Sequence, residues 1–353
     1  MVMNLSKKNN KKVSDDVWGI TTFFNPVGYK SKKRNYDFFR KISKKQGLKL
    51  VTVELAFDNV KFELRRGDAD ILLQLRTDSK NIMWQKERLM NIAFKNVPKT
   101  CNKMIWIDCD VFFENNDWLE RVSTSLDKYM IVQPFSKFIR LEKGAKKISQ
   151  NITIPIDNKI DLFGQVYSLY NNLPNNYISG LAWAFRREVF EENLFYDEAI
   201  LGSGDRLMSY AFYNKDFIKK LDKTDKNFIN MCLYVKMRQR YQIWLENVSK
   251  IVKGRTFYVD QNLYHLWHGD MKDRQYYLRN EIIKKGDFDP GNDIVKDENG
   301  IWKWNSEKKE MQDEVKKYFW VRREDVTFGE ILIIKINKII KKLLSYFIGN
   351  GNN

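Results

Sequence analysis

The chain has 353 residues, 43% hydrophobic and 14% aromatic, with 62 Lys+Arg against 45 Asp+Glu and a formal charge of +17. That apolar content excludes a disordered chain, and the length allows two average domains or one large α/β domain with additions. The charge is concentrated at one end: residues 1–49 hold 13 Lys+Arg and 3 Asp. It therefore does not by itself choose among nucleic acid, an anionic membrane and phosphorylated substrates as partners.

Residues 1–15 read as a basic disordered tail. Met1–Lys12 is polar and has no apolar stretch for a signal peptide or anchor, so a cytoplasmic setting is expected, with a peripheral membrane position as the alternative. Cys101, Cys109 and Cys232 are too widely spaced for a zinc pattern or a disulfide framework, which suits a reducing compartment. A first strand is predicted at Val17–Phe23, broken by Asn25-Pro26. Tyr36–Gln46 has helical spacing, with Phe38, Phe39 and Ile42 on one face. Leu48–Leu55 alternates like a strand, and Ile71–Leu75 is another. Ile82–Asn96 reads as a helix and Met104–Ile107 as a strand. Asp117 is placed to cap a helix over Trp118–Lys128, and Met130–Gln133 is strand again. This alternation predicts an α/β fold with a mostly parallel central sheet flanked by helices. Residues 140–176 break the rhythm and suit an insertion near a cleft. Order returns at Gly180–Phe185, and Lys226–Val252 reads as one long helix whose apolar positions belong to the core.

Three fragments carry chemistry. In Trp106-Ile107-Asp108-Cys109-Asp110 an apolar strand releases two carboxylates at its carboxyl end, where open α/β sheets bind ligands. On an extended backbone Asp108 and Asp110 share one side, while Cys109 points into the sheet. Two such oxygen donors can hold Mn²⁺ or Mg²⁺, although Asp is also common in turns after strands. In Leu201-Gly202-Ser203-Gly204-Asp205 two glycines allow a tight turn, and Asp205 either caps a helix starting near Arg206 or serves as a general base. Tyr177–Phe185, with Gly180 and Trp183, would supply an aromatic wall for a sugar. In His265-Leu266-Trp267-His268-Gly269-Asp270 fall the only two histidines of the chain, spaced to face one ion.

Together these fragments resemble the GT-A nucleotide-sugar glycosyltransferases. Asp108-x-Asp110 is similar to that superfamily's DxD motif. Gly-Ser-Gly-Asp205 is similar to the Gly-rich acidic segment of the β-1,4-galactosyltransferase-like members, which carries their catalytic aspartate. His265-x-x-His268 sits where those members place a carboxyl-terminal metal ligand. Thr21-Thr22-Phe23-Phe24-Asn25-Pro26 and Trp84-Gln85-Lys86-Glu87-Arg88-Leu89-Met90-Asn91 fit as well. The similarity runs over about residues 17–325, as a GT-A (Rossmann-like) domain over 16–325 with a nucleotide-sugar half, 16–135, and an acceptor half, 136–325. The chain departs from the pattern in having one acid, Asp205, followed by Arg206, where the galactosyltransferase segment has several. Its two histidines stand where some members have Met and His.

The resemblance implies a metal-dependent, inverting hexosyltransferase. Mn²⁺ (or Mg²⁺) would be held by Asp110, His268 and His265, with Asp108 on the metal, a metal-bound water or the ribose. Asp205 would be the base. Thr21, Asn25 and Asp58, by their positions at strand ends, would line the nucleotide pocket, and Trp183 would line the donor site as part of the aromatic wall. The partners implied are a nucleotide-sugar donor, UDP-sugar first, and a glycan, lipid or protein acceptor. Two other classes compete. A nucleic-acid-binding protein would use the basic end with Tyr29, Tyr36 and Phe38, but no zinc-finger, RRM or KH signature is present, so no nucleic acid is expected. A metal-dependent phosphodiesterase usually needs more acids and histidines in its site, for two metals, and only two histidines are available.

Residues 326–353 form a separate extension. Within Glu330–Phe347, Leu332, Ile336, Ile339, Ile340, Leu343 and Phe347 follow helical spacing, with Lys335, Lys338, Lys341 and Lys342 opposite. Four lysines argue against a bilayer span and for either a basic amphipathic helix in the membrane interface or a terminal helix packed on the domain.

Overall fold

A computed structural model describes residues 16–141, 179–212, 235–275 and 278–325. The expectations for the amino-terminal tail, for most of the 140–176 insertion, for Tyr177 and for the 330–347 helix lie outside these residues. So does the first part of the Lys226–Val252 helix.

The central feature is a seven-stranded sheet. Its strands are β1 (Val17–Phe24), β2 (Lys49–Phe57), β3 (Ile71–Thr77), β4 (Lys103–Ile107), β6 (Ile131–Gln133), β8 (Ala182–Arg186) and β9 (Thr256–Tyr258), in the order β3-β2-β1-β4-β8-β6-β9. Four of the six pairings are parallel; β8 runs antiparallel to both β4 and β6. The fold is therefore α/β with a mixed, mostly parallel sheet. A second sheet, β5-β10-β7, is built from β5 (Val111–Phe113), β10 (Asn262–His265) and β7 (Lys137–Arg140).

β4 shows why the sheet is buried on both faces. Met104 and Trp106 join the larger core, with Leu89, Met90 and Phe94 of α2 (Lys86–Asn96) and with Phe185 and Phe190. Ile105 and Ile107 join the other, with Trp118, Leu119 and Val122 of α3 (Trp118–Leu126). Adjacent side chains of a strand point to opposite faces, so a doubly covered strand reads as a continuous apolar run. The same holds for β2, whose alternation in sequence suggests one solvated face but which is buried from Leu50 to Phe57.

α1 (Lys30–Lys45) begins six residues before the predicted helix, carried by the loop that Asn25 organises. α2 begins four residues later than Ile82. The Trp84 N–H donates to the Ile200 carbonyl at 2.8 Å, and the Gln85 amide is bonded to the Trp302 backbone, so this stretch is held out of the helix. Asp117 stands at the start of α3 without a side-chain cap bond. α4 (Gly204–Ala211) starts two residues before the helix expected near Arg206, and α5 (Val235–Val252) is the described part of the expected Lys226–Val252 helix. Beyond the elements expected lie α6 (Leu278–Lys285) and a hairpin of β11 (Ile294–Lys296) and β12 (Trp302–Trp304). The last described helix is α7 (Lys309–Val321). No helix among the described residues is long and apolar enough to cross a membrane.

Candidate active site

β1 and β4 run parallel, so their carboxyl ends open on one edge of the sheet. There a cleft of about 480 Å³ is lined by Thr22–Phe24, Asp108–Asp110, the His265–His268 segment and the Gly202–Asp205 turn. This is the place open α/β sheets offer to ligands. Seven Lys and Arg side chains line it against four carboxylates, an electrostatic bias toward anions.

Asp110 and the histidines meet because of strand pairing. β10 lies between β5 and β7, with His265 opposite both Val111 and Arg140, and the Leu266 N–H donates to the Asp110 carbonyl at 2.8 Å. The chain is thus stitched on both sides of His265. His268 Nε2 lies 3.1 Å from Asp110 Oδ2 and 2.9 Å from His265 Nε2. Potential ligand atoms of Asp110, His265 and His268 all lie within 4.8 Å of one another. Arg274 Nη2 is 2.7 Å from His268 Nε2. Arginine can only donate and a carboxylate can only accept, so one ring nitrogen cannot satisfy both neighbours at once. Asp110 Oδ1 and His265 Nδ1 are buried with no hydrogen-bond partner among the described residues. Burial together with the Arg274 charge pushes the His268 pKa down to about 4 and that of His265 well below its ordinary value. Two neutral imidazoles and a carboxylate with an unspent oxygen fit a divalent cation.

Asp108 turns away from this group. The sequence pattern suggests an extended Asp108–Asp110, but β4 ends at Ile107 and residues 108–110 form a turn, fixed by the Asp108 N–H donating to the Leu181 carbonyl at 2.7 Å. The carboxylates therefore diverge. Asp108 Oδ1 holds Lys86 Nζ at 2.6 Å. Burial and the nearby Asp110 raise the Asp108 pKa to about 6, with Lys86 opposing. Cys109 is half-buried in the same turn, packs against buried apolar residues on the sheet and also lines the cleft.

Asp205 lies in the first turn of α4, and Ser203 is the N-cap. Its carboxylate packs over Gly180: a Cβ there would fall 2.3 Å from Asp205 Oδ2. A Cβ on Gly204 would meet the Glu87 carboxyl at 2.6 Å, so this glycine admits a second acid beside the first. Burial, reinforced by Asp205 and opposed by Lys86, pushes the Glu87 pKa up to about 8. Burial alone would lower the pKa of Lys86, but Asp108 and Asp205 hold it above its ordinary value. Ser203 adopts a left-handed φ of 74°, and its hydroxyl accepts from Arg279 Nη2 at 2.5 Å.

The remaining sequence candidates sit elsewhere. Thr21 is buried in the sheet and donates to the Ile107 carbonyl at 2.6 Å; its neighbour Thr22 faces the cleft. Asn25 spends its amide on the Tyr29 backbone and Glu63. Asp58, at the end of β2, accepts from the Ser79 N–H at 2.8 Å. Trp183 is 0% exposed, packed on Trp106 and Phe212, with Nε1 donating to the Ser179 carbonyl. None of these four lines the cleft. The aromatic lining comes from Phe23, Phe24, Trp84 and Phe138. The sequence reading gave no role to Lys86, Glu87, Arg274, Arg279 or Arg322. Lys86 and Glu87 lie in a fragment it singled out, whereas the arginines come from stretches with no local motif.

No protein-family model matches the chain, and no curated protein is similar to it. Among solved structures, the catalytic domain of Drosophila β1,4-galactosyltransferase 7, in complex with xylobiose, is 13% identical, with a TM-score of 0.28 over 54% of this chain. The chain spans 58% of that domain's length. Mannosyl-3-phosphoglycerate synthase from Rubrobacter xylanophilus is 10% identical, with a TM-score of 0.40 over 83% of this chain and 88% of that one. A putative glucose-1-phosphate thymidylyltransferase from Bacillus anthracis is 8% identical, with a TM-score of 0.31 over 69% and 87%. Likeness at this level carries no argument about activity, which rests on the site.

Proposed function

We propose that the chain is a metal-dependent glycosyltransferase of GT-A type, moving a sugar from a nucleotide-diphosphate donor, UDP-sugar first, to a hydroxyl acceptor with inversion. The observation that carries this reading is that Asp110, His265 and His268 converge in the cleft that Asp205 also lines. Those three residues would hold the ion. The mixed nitrogen and oxygen donor set favours Mn²⁺ over Mg²⁺, which prefers oxygen ligands alone. A bound divalent ion supplies positive charge to the diphosphate leaving group.

The chain's own residues do the rest. Lys32, Arg140 and Arg274 draw a phosphate group toward the metal end of the cleft. Trp84 and Phe24 offer apolar faces to a sugar or base. Asp205, held over Gly180, takes the proton of the acceptor hydroxyl as that oxygen attacks the anomeric carbon. Lys86 lies within the field of Asp205 and, paired with Asp108 at 2.6 Å, opposes the rise in the Asp108 pKa that burial causes. The basic amphipathic segment 330–347 is part of the proposal as a peripheral contact with an anionic membrane, where a lipid-linked or membrane-proximal acceptor would lie.

A thermal-shift screen of UDP- and GDP-sugars with Mn²⁺ tests the donor assignment. A ligand at 100 times its Kd stabilises by about 2.7 kcal/mol, so one donor should raise the transition clearly. A flat response across both nucleotide series contradicts it.

A further inference from the structure

The phenol of Tyr318, on α7, lies 2% exposed between the two ends of the cleft and has its full complement of hydrogen bonds. It donates to the Arg274 carbonyl at 3.0 Å and accepts from Arg279 Nη1 and Arg322 Nη1, each at 3.1 Å. A phenol oxygen has one proton and two lone pairs, so all three capacities are used.

Each partner leads to a functional end. The side chain of Arg274 reaches His268 Nε2 at 2.7 Å. Arg322 binds Glu324, whose Oε1 lies 3.7 Å from His268 Nδ1 and whose Oε2 is held by Lys32 at 3.0 Å. Arg279 runs the other way, donating to the hydroxyl of Ser203, the N-cap two residues before Asp205. Ser203 is the strained residue of that turn, and a left-handed non-glycine residue persists only where its surroundings hold it. Tyr318 thus joins, atom to atom, the neighbours of His268 and the turn that presents Asp205.

We infer that Tyr318 is a positioning residue that couples the metal end of the cleft to the Asp205 turn, so that the shape of each depends on the other. The inference rests on the metal-dependent reading above. Outer partners of metal ligands fix ring orientation, and their loss typically costs 10–100-fold in affinity.

The test titrates the full-length protein with Mn²⁺ alone, by calorimetry, with nucleotide absent. Tyr318→Phe keeps the ring and removes the junction; it should bind Mn²⁺ about 10-fold more weakly, beyond any loss of folded fraction read by circular dichroism. Tyr36→Phe removes a phenol that is equally buried but bonded to Thr52 and Asp68 outside the cleft, and should leave Mn²⁺ binding unchanged. Arg279→Gln gives a second reading should Tyr318→Phe fold poorly. Arg279 bonds Tyr318 and Ser203, and removing a cation from the cleft should by electrostatics alone strengthen cation binding. Coupling through Tyr318 predicts the opposite sign, a weaker Mn²⁺ affinity. Unchanged affinity in Tyr318→Phe, or tighter binding in Arg279→Gln, overturns the coupling while leaving the metal centre standing. Wild-type protein that binds no Mn²⁺ overturns the metal centre, and the coupling with it.

Discussion

At the scale of single residues, Asp205 separates two roles that asparagine distinguishes. Ser203, not Asp205, is the N-cap of α4, while Asp205 Oδ1 accepts the Arg206 N–H at 2.8 Å, a bond that the amide oxygen of asparagine would accept equally well. Asp205→Asn should keep donor binding and lose transfer by about 10²–10⁴-fold, the usual worth of general-base catalysis. Transfer near the wild-type rate would place the base elsewhere. Glu87 makes a pH prediction. Its folded pKa, about 8, lies above the ordinary 4.5, so the native state keeps a proton that the unfolded chain gives up. Its contribution to stability is complete below pH 4.5 and is lost as pH rises toward 8. Glu87→Gln should therefore show a flatter fall of the thermal midpoint over that interval than the wild type; parallel curves would contradict the assignment. Asp110 and the histidines were legible together because the chain's entire histidine complement falls within four residues, whereas an Asp after a strand is by itself a common turn residue. Trp183 was not, because an aromatic residue beside glycine reads alike on a sugar platform and in a core. Thr21, Asn25 and Asp58 were inferred from strand ends, and strand ends also need residues that bond their own backbone.

At the scale of elements, the site depends on a glycine in one segment giving way to a carboxylate in another. Gly180→Ala would place a methyl 2.3 Å from Asp205 Oδ2. An ångström of misplacement at a reacting group can cost about 10²-fold in rate, so transfer should fall by that order while circular dichroism stays native. A wild-type rate in the folded variant would show that the carboxylate does not need this seat. Periodicity located the strands β1 to β4 and the helix α3 to within a few residues, while α1 and α2 start six and four residues away from the expected positions. It could not show that β8 runs antiparallel, or that Asp108 and Asp110 part at a turn. Both follow from pairing with strands far away in sequence. The hairpin β11–β12 and α7 carried no motif, yet α7 supplies Tyr318 and leads into Arg322 and Glu324.

At the scale of the molecule, the cleft collects side chains from Thr22 to Arg322, so almost the whole described chain serves one site. Its positive lining fits an anionic donor, and the segment 330–347 adds a proposed tether. The full chain should co-sediment with anionic liposomes, and deletion of 330–353 should release it with the thermal transition intact; a collapsed transition would assign that segment to the core instead. The central claim is metal-dependent turnover of a nucleotide sugar, and release of nucleoside diphosphate from a UDP- and GDP-sugar panel in the presence of Mn²⁺ measures it directly. Release from one donor is expected, abolished by EDTA and by Asp110→Ala or His268→Ala. Release that persists in EDTA, or undiminished activity in either variant, would contradict it.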